Sequence, residues 1–325
     1  MLSRKVEVPL EVRQMVGVGP GALRFLVYMQ LTDRISGVED IELRPGRAYA
    51  YAQPSLKEKS IIGPMRGGDA ELLTAHQPDV IFMTGGTAGE ADDLQKQTGI
   101  PVVALQTGNF NKQRETFNRA LQMIGEITQT EKRAADIIQF INREIEALKN
   151  NVPEEFIQSR VYVGGISYSG ARGLTSTIPF YDAFEFVKAK NVAAGLADTH
   201  HVEGSNATTI DLEQLIVWNP DYLFIDAAGL TLSQPQLSPE SPLHITLRAF
   251  REKTLYTLMP YNWYSTNYET ILVNAWYIAS VIYPERVSDF QFLARRKAIY
   301  EFMIGKDISD DLLKMYEGWK PLNRF

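Results

Sequence analysis

A chain of 325 residues is long enough for two domains, each large enough to bury its own core. Apolar residues make up 45% and charged residues 22%, which excludes both a disordered chain and a disulfide miniprotein. The net charge of −6 with no long basic run argues against a nucleic-acid partner, and the absence of cysteine excludes thiolate metal sites, catalytic thiols and disulfides.

The N-terminus, Met1-Leu-Ser-Arg-Lys-Val-Glu-Val-Pro9, is polar from its third residue and lacks the apolar stretch of a secretory signal. No later window approaches the run of about 18 apolar residues that a membrane span needs. The first half alternates short apolar runs with amphipathic segments, as parallel strands joined by helices do. Strands are expected at Met15–Val18, Ile35–Val38, Val80–Met83 and Val102–Leu105, and helices at Ala22–Gln30, Ala70–His76, Ala88–Gln97 and Lys112–Ile127. The second half repeats the mode. Its strands fall at Arg160–Gly164, Tyr222–Asp226 and Thr254–Leu258, and its helices near Phe180–Val187, Asp211–Trp218 and Tyr268–Tyr283.

Between the halves, Thr128-Gln-Thr-Glu131 reads as a capping box leading into Ala134, Ile137, Ile138, Ile141, Ile145 and Leu148 at three- and four-residue spacing. Some 20 helical residues make a rod of roughly 30 Å, ended by Asn150-Asn-Val-Pro153. Packed against both lobes, such a rod would hold them at a nearly fixed separation, although an ordinary core helix shows the same spacing. The expected division is an N-terminal α/β lobe over 1–128, an interlobe helix over 129–153 and a C-terminal α/β lobe over 154–325.

An internal echo relates the lobes. Glu71-Leu-Leu-Thr-Ala-His-Gln-Pro-Asp-Val-Ile-Phe82 and Glu213-Gln-Leu-Ile-Val-Trp-Asn-Pro-Asp-Tyr-Leu-Phe224 share Glu, Leu, Pro, Asp and Phe at identical offsets. Each reads as a short helix, a Pro-Asp turn that stops it and a strand buried on both faces. Packing does not require the matching glutamates.

Several motifs compete for a function. Gly17-Val-Gly-Pro-Gly-Ala22 follows a strand and opens a helix, with Glu39-Asp40 ending the next strand, so an NAD-dependent enzyme is one reading. Against it, Pro20 removes a backbone donor that a pyrophosphate would use. Gly165-Ile-Ser-Tyr-Ser169 resembles a nucleophile elbow around Ser167 but lacks the second glycine. The histidines His76, His200, His201 and His244 fit no metal-ligand spacing, and His200-His201 with Glu203 reads more simply as a solvated loop than as a metal site. Polar and aromatic residues, in contrast, crowd segments expected to be loops: Tyr49 and Tyr51; Tyr168 and Arg172; Tyr261, Trp263, Tyr264 and Tyr268. Each adjoins an expected strand end, where ligands bind in open α/β sheets. Arg66 before Gly67-Gly68, and Gly85-Gly86, would let backbone approach a ligand closely. Aromatic padding of a surface is the competing explanation.

In the order and spacing of Arg4-Lys-Val-Glu-Val-Pro9, Val16-Gly-Val-Gly-Pro-Gly21, Ile35-Ser-Gly-Val38, Glu71 with Pro78-Asp-Val-Ile81, the helix after Thr130, Leu255–Pro260 and Tyr283-Pro-Glu-Arg286, the whole chain resembles the substrate-binding proteins of ABC importers that carry ferric siderophores, cobalamin or haem. The resemblance implies two Rossmann-like lobes with mostly parallel sheets, one long connecting helix and a ligand cleft between the lobes. It also implies binding rather than catalysis, no cofactor, a monomer and a membrane permease as partner. By the same resemblance, Glu71 and Glu213 dock the permease. Trp263 is the leading ligand contact, with Tyr168, Arg172, Tyr49 and Arg66 beside it, and the crowded loops add Tyr264, Tyr261 and Tyr51 to the expected ligand-binding set. A metal chelate, foremost a ferric siderophore, is the expected ligand; molybdate or tungstate, haem and cobalamin are alternatives within the family. The location implied is extracytoplasmic, periplasmic or anchored at the cell surface, with the export signal or anchor expected to have been removed.

Overall fold

The computed structural model describes residues 4–153, 158–168, 170–196 and 207–322. It divides into two compact units, Met1–Asn142 with Tyr300–Ile308, and Arg143–Ile299 with Ser309–Phe325.

In the first unit, β1 (Met15–Val18), β2 (Ile35–Val38), β3 (Ser60–Ile61), β4 (Val80–Thr84) and β5 (Val102–Leu105) form one parallel sheet in the order β3-β2-β1-β4-β5. Its helices are α1 (Ala22–Tyr28), α2 (Ala48–Ala52), α3 (Ala70–His76), α4 (Ala88–Thr98), α5 (Arg114–Thr128) and the first part of α6 (Glu131–Asn150). β1 and β4 are apolar at nearly every position because helices cover both faces of the sheet, and every residue of both is buried.

In the second unit, β6 (Arg160–Gly164), β8 (Lys190–Asn191), β10 (Tyr222–Asp226) and β11 (Leu255–Leu258) run parallel, with β12 (Lys320–Pro321) antiparallel at the edge; the order is β12-β11-β10-β6-β8. A separate ladder pairs β7 (Ser176–Thr177) with β9 (Thr208–Thr209). The helices are α7 (Asp182–Phe186), α8 (Leu212–Trp218), α9 (Leu230–Leu237), α10 (Pro242–Thr246), α11 (Arg248–Glu252), α12 (Tyr268–Ile282), α13 (Asp289–Ile304) and α14 (Ser309–Met315). Leu215, Leu223, Ile225, Leu237, Leu243 and Leu255 belong to one buried cluster on this sheet.

The two sheets share a four-strand core, β2-β1-β4-β5 in one and β8-β6-β10-β11 in the other. The Pro-Asp echo is the hinge of that equivalence. Gln77 (φ 45°) and Asn219 (φ 42°) end α3 and α8 in the left-handed region. The aspartate two residues later reaches the start of the neighbouring strand in both units. Asp79 Oδ2 accepts the N–H of Arg13 (2.7 Å) and Gln14 (2.8 Å), and Asp221 Oδ2 accepts that of Arg160 (2.8 Å).

The division between the units falls inside α6, whose buried stripe is Ala134, Ile137, Ile141, Glu144 and Leu148. Thr128 does not cap this helix. It is the last residue of α5, its hydroxyl donates to Ile124 O (2.7 Å), and Gln129 at φ 59° turns the chain, so Thr130 precedes the first helical residue. The sequence also placed Tyr49 and Tyr51 in a loop, whereas both lie in α2; the buried Arg47 holds that short helix by donating to the carbonyls of Ile41 (2.8 Å), Glu42 and Arg44 (2.5 Å). The end of α13 groups with the first unit, where Gln53 Nε2 donates to Ile304 O (2.9 Å), Arg133 Nη2 donates to Phe302 O (2.6 Å) and Phe140 stacks on Phe302. Among the described residues no helix is long and apolar enough to cross a membrane.

Candidate functional site

Parallel strands end together, and the loops at that carboxyl edge are where an open α/β sheet presents groups to a ligand. In the second unit three such loops are knit into one surface. Gly165 follows β6 and Gly229 follows β10, and a Cβ on Gly229 would collide with the carbonyls of Gly165 and Arg172, so glycine permits the close approach. Asn262, after β11, donates through Nδ2 to Ser167 O (3.1 Å). The β11 loop turns back on itself through a bridge between Asn262 and Thr266, with Trp263 N–H donating to Ser265 O (2.9 Å) and Tyr264 at φ 50°.

This brings together most of the expected ligand residues of the second unit. Trp263, Tyr264 and Tyr168 are half-buried and Arg172 is exposed, its Nε donating to Tyr168 O (3.3 Å). Tyr261 is placed otherwise. It is buried, its ring lies 5.5 Å from that of Tyr181, and burial raises its hydroxyl well above the usual tyrosine range. Its backbone N–H donates to Asp226 Oδ2 (2.7 Å), while Ala228 N–H donates to Asp226 Oδ1 (2.9 Å). Asp226 is the last residue of β10, and burial outweighs those two donors and pushes its carboxyl up to about 7. Sequence reasoning passed over it because a polar residue ending an apolar strand looks like an ordinary strand terminus.

The same edge of the first unit carries the glycine motif. Gly19 (φ 89°) and Gly21 (φ 87°) turn β1 into α1, and a Cβ on Gly19 would collide with Thr84 O at the end of β4. Thr84 Oγ1 donates to Pro20 O (2.8 Å). These glycines are accounted for by the packing of the loop on β4. The acidic pair is engaged in the same way: Glu39 accepts the N–H of Gly67 (3.1 Å) and Asp40 that of Met65 (3.1 Å), which anchors the loop holding the exposed Arg66 at φ 70°. Tyr51 is half-buried. Tyr49, expected among the ligand contacts, is 1% exposed and its hydroxyl donates to Glu42 (2.6 Å). Arg47 Nε lies 2.9 Å from the same carboxylate, and the Arg24 guanidinium sits 5.1 Å from the Tyr49 ring. Its ring is part of a buried charged cluster rather than a face offered to solvent. Burial raises the carboxyl of Glu42 despite the opposing pull of Arg47 and the Tyr49 hydroxyl.

Glu71 and Glu213 are exposed in the first turns of α3 and α8. Each helix runs into its strand through the Pro-Asp turn, so each glutamate lies toward the carboxyl edge of its own sheet. Among the described histidines, His76 is in the last turn of α3 and His244 on α10 lies 4.9 Å from the Phe250 ring. His200, His201 and Glu203 lie outside the described residues, and no metal-binding group of three or more His, Asp or Glu occurs among those described.

The sequence model of the periplasmic binding protein family matches residues 19–261. The molybdate-binding protein MolA of Haemophilus influenzae is 22% identical over an alignment covering 99% of this chain and 91% of that protein. The structure of MolA bound to molybdate superposes with a TM-score of 0.72 at 20% identity, covering 94% of this chain and 97% of that one. The Helicobacter pylori protein CeuE with Ni(II) bound gives 0.65 at 15% identity, covering 95% and 96%. The periplasmic haem-binding protein HutB of Vibrio cholerae gives 0.61 at 16% identity, covering 83% and 99%.

Proposed function

The chain belongs to the periplasmic binding protein family and is a solute-binding protein of an ABC importer, and we propose that its solute is an anionic metal species, an oxyanion of the molybdate class. The observation that carries this choice is the relative along nearly the whole chain that binds molybdate. Chemistry of the second unit's edge supports it. The exposed Arg172 on a glycine-permitted loop offers charge-assisted donors to a small anion. A ferric siderophore is the second reading, favoured by the half-buried Trp263, Tyr264 and Tyr168, whose flat faces suit an aromatic chelate. Tyr51 and Arg66 are the contacts assigned to the first unit's edge. Tyr49 and Tyr261 are buried and are left out of the contact set; the hydroxyl of the first donates to Glu42 and the backbone N–H of the second to Asp226.

In this reading Glu71 and Glu213 are the permease contacts, the protein works outside the cytoplasm, and selection is by binding alone. Calorimetric titration with molybdate, tungstate, sulfate and ferric 2,3-dihydroxybenzoate tests the solute. Binding of the first two with sulfate rejected supports the oxyanion; binding of the ferric complex alone transfers the assignment to the siderophore. Replacing Trp263 by Ala is expected to weaken the ferric complex about tenfold or more, the order of one lost aromatic contact. Glu71→Ala with Glu213→Ala should abolish uptake in cells while titration is unchanged. Uptake that survives the double replacement removes the docking role.

A further inference from the structure

Asp226 is an expensive residue at its position: a carboxyl buried at the end of β10, with its charge opposed by desolvation. What it meets there are two backbone donors from different segments, Ala228 N–H in the turn after β10 and Tyr261 N–H in the loop after β11. An ionised carboxylate serves two converging donors with two oxygens; an amide or a hydroxyl supplies one acceptor oxygen. The held loop is the one that presents Trp263 and Tyr264 and that donates, through Asn262, to Ser167 in the loop after β6. Asn267 Nδ2 donates to Pro260 O (2.8 Å) and Asn274 Nδ2 to Met259 O (2.9 Å), both just before the loop, and the Asn267 N–H closes its far side on Tyr261 O (2.9 Å); Asp226 takes the remaining backbone group of Tyr261, its N–H.

We propose that Asp226 is a positioning residue for solute capture, its carboxylate tying the Tyr261–Tyr264 loop to the turn after β10 and so setting where the Trp263 and Tyr264 rings meet the solute. The assignment rests on the reading of these loops as a solute-binding edge. Its consequence is a grip that weakens as pH falls through neutrality: local release takes a donor from a carboxyl that stays buried and so favours its protonated form, whereas unfolding of the whole chain returns it to water and has the opposite pH dependence. A protonated Asp226 turns one of its oxygens into a donor facing a donor N–H, which releases one of the two segments. The titratable groups facing the site are Tyr181 and Asp182 from the start of α7, Tyr261 on the loop and Tyr268 at the start of α12. Burial holds Tyr181 and Tyr261 well above the usual tyrosine range, so neither loses its proton near neutrality. Asp182 is a second carboxyl near these rings, and the pH dependence is therefore read against a variant in which only Asp226 is changed.

The test uses the full chain and Asp226→Asn, which keeps the size and removes the charge. Without solute, at pH 8, amide hydrogen exchange at Tyr261 and Ala228 is expected to accelerate tenfold or more in the variant, while Phe224 in β10 and Thr257 in β11 stay protected. In the unsubstituted protein the protection factors of the same two amides should fall between pH 8 and pH 6, a measurement that stands even if the variant does not fold. Affinity for molybdate or ferric 2,3-dihydroxybenzoate, whichever binds, should drop about tenfold over that range in the unsubstituted protein and be flat with pH in the variant. Equal protection of Tyr261 and Ala228 with and without the carboxylate overturns the proposal, as does an unchanged pH profile of binding in the variant. Should neither probe bind the unsubstituted protein, the solute reading fails, and the exchange rates by themselves decide whether Asp226 holds the loop.

Discussion

Glu144 occupies a position on α6 where the stripe of Ala134, Ile137, Ile141 and Leu148 calls for an apolar residue, and the structure shows why an acid stands there. Its Oε2 accepts the indole N–H of Trp276 on α12 (2.8 Å) and its Oε1 the guanidinium of Arg295 on α13 (3.0 Å), while that guanidinium lies 5.0 Å from the Trp276 ring. One side chain therefore fastens α6 to two other helices of the second unit. Truncation by Glu144→Ala orphans the N–H of a tryptophan that is 0% exposed, at about 1–3 kcal/mol. It also removes an ion pair whose arginine side chain is 40% exposed, worth at most about 1 kcal/mol. The expected loss is about 3 kcal/mol. Glu144→Gln keeps an acceptor for Trp276 and forfeits only the charge, so it should lose about 1 kcal/mol or less. Urea unfolding followed by tryptophan emission, with circular dichroism checking that both probes report one transition, measures the two losses. If the glutamine variant is as unstable as the alanine variant, the charge and not the indole bond holds the helices, and the apportionment fails.

Two further outcomes follow from buried carboxyls. Glu42→Ala strands Arg47 in the interior of the first unit and should destabilise it by about 3–5 kcal/mol, whereas Tyr49→Phe removes one hydrogen bond to the same carboxylate and should lose about 1–3 kcal/mol; chemical denaturation ranks the two. Asp226 gives a signed pH dependence of stability. Its carboxyl is raised from an ordinary 3.8 to about 7, so the folded chain holds a proton that the unfolded chain releases, and this group's contribution falls as pH rises between those values. At 1.36 kcal/mol per pH unit the interval amounts to about 4 kcal/mol. The stability difference between the unsubstituted protein and Asp226→Asn should therefore move in favour of the acid as pH is lowered from 7 to 4, and a difference independent of pH would remove the buried charge from the account.

The strands were legible in the residues because consecutive positions of the central parallel strands are buried, which demands uninterrupted runs such as Val80-Ile-Phe-Met83 and Tyr222-Leu-Phe-Ile225, bounded by Gly or Asp. The Pro-Asp echo was legible too, and it marks the same strand neighbour in both units because an aspartate at that offset reaches the backbone at the start of β1 or β6. Helix α2 was not. Ala48–Ala52 has five residues, no side-chain cap and no apolar periodicity to detect, and it is held by the buried Arg47 instead. The two-residue strands β3 and β12 are exposed or half-buried edges, too short for any alternation to show.

By itself, then, the sequence determined the α/β class, the strand cores, the long helix, the paired glutamates and the second-unit loops carrying Tyr168, Arg172, Trp263 and Tyr264. All of these are written in patterns of a few neighbouring residues. Tertiary structure alone decided which polar groups are committed inside: Tyr49 to a glutamate seven positions before it, Asp226 to an amide 35 positions on, Glu144 to an indole 132 positions away. It also decided that Tyr300–Ile308 packs with the first unit. The reason is the same in each case. A buried polar group is tolerable only where a partner meets it, and chain segments distant in sequence become neighbours only when the sheets have formed.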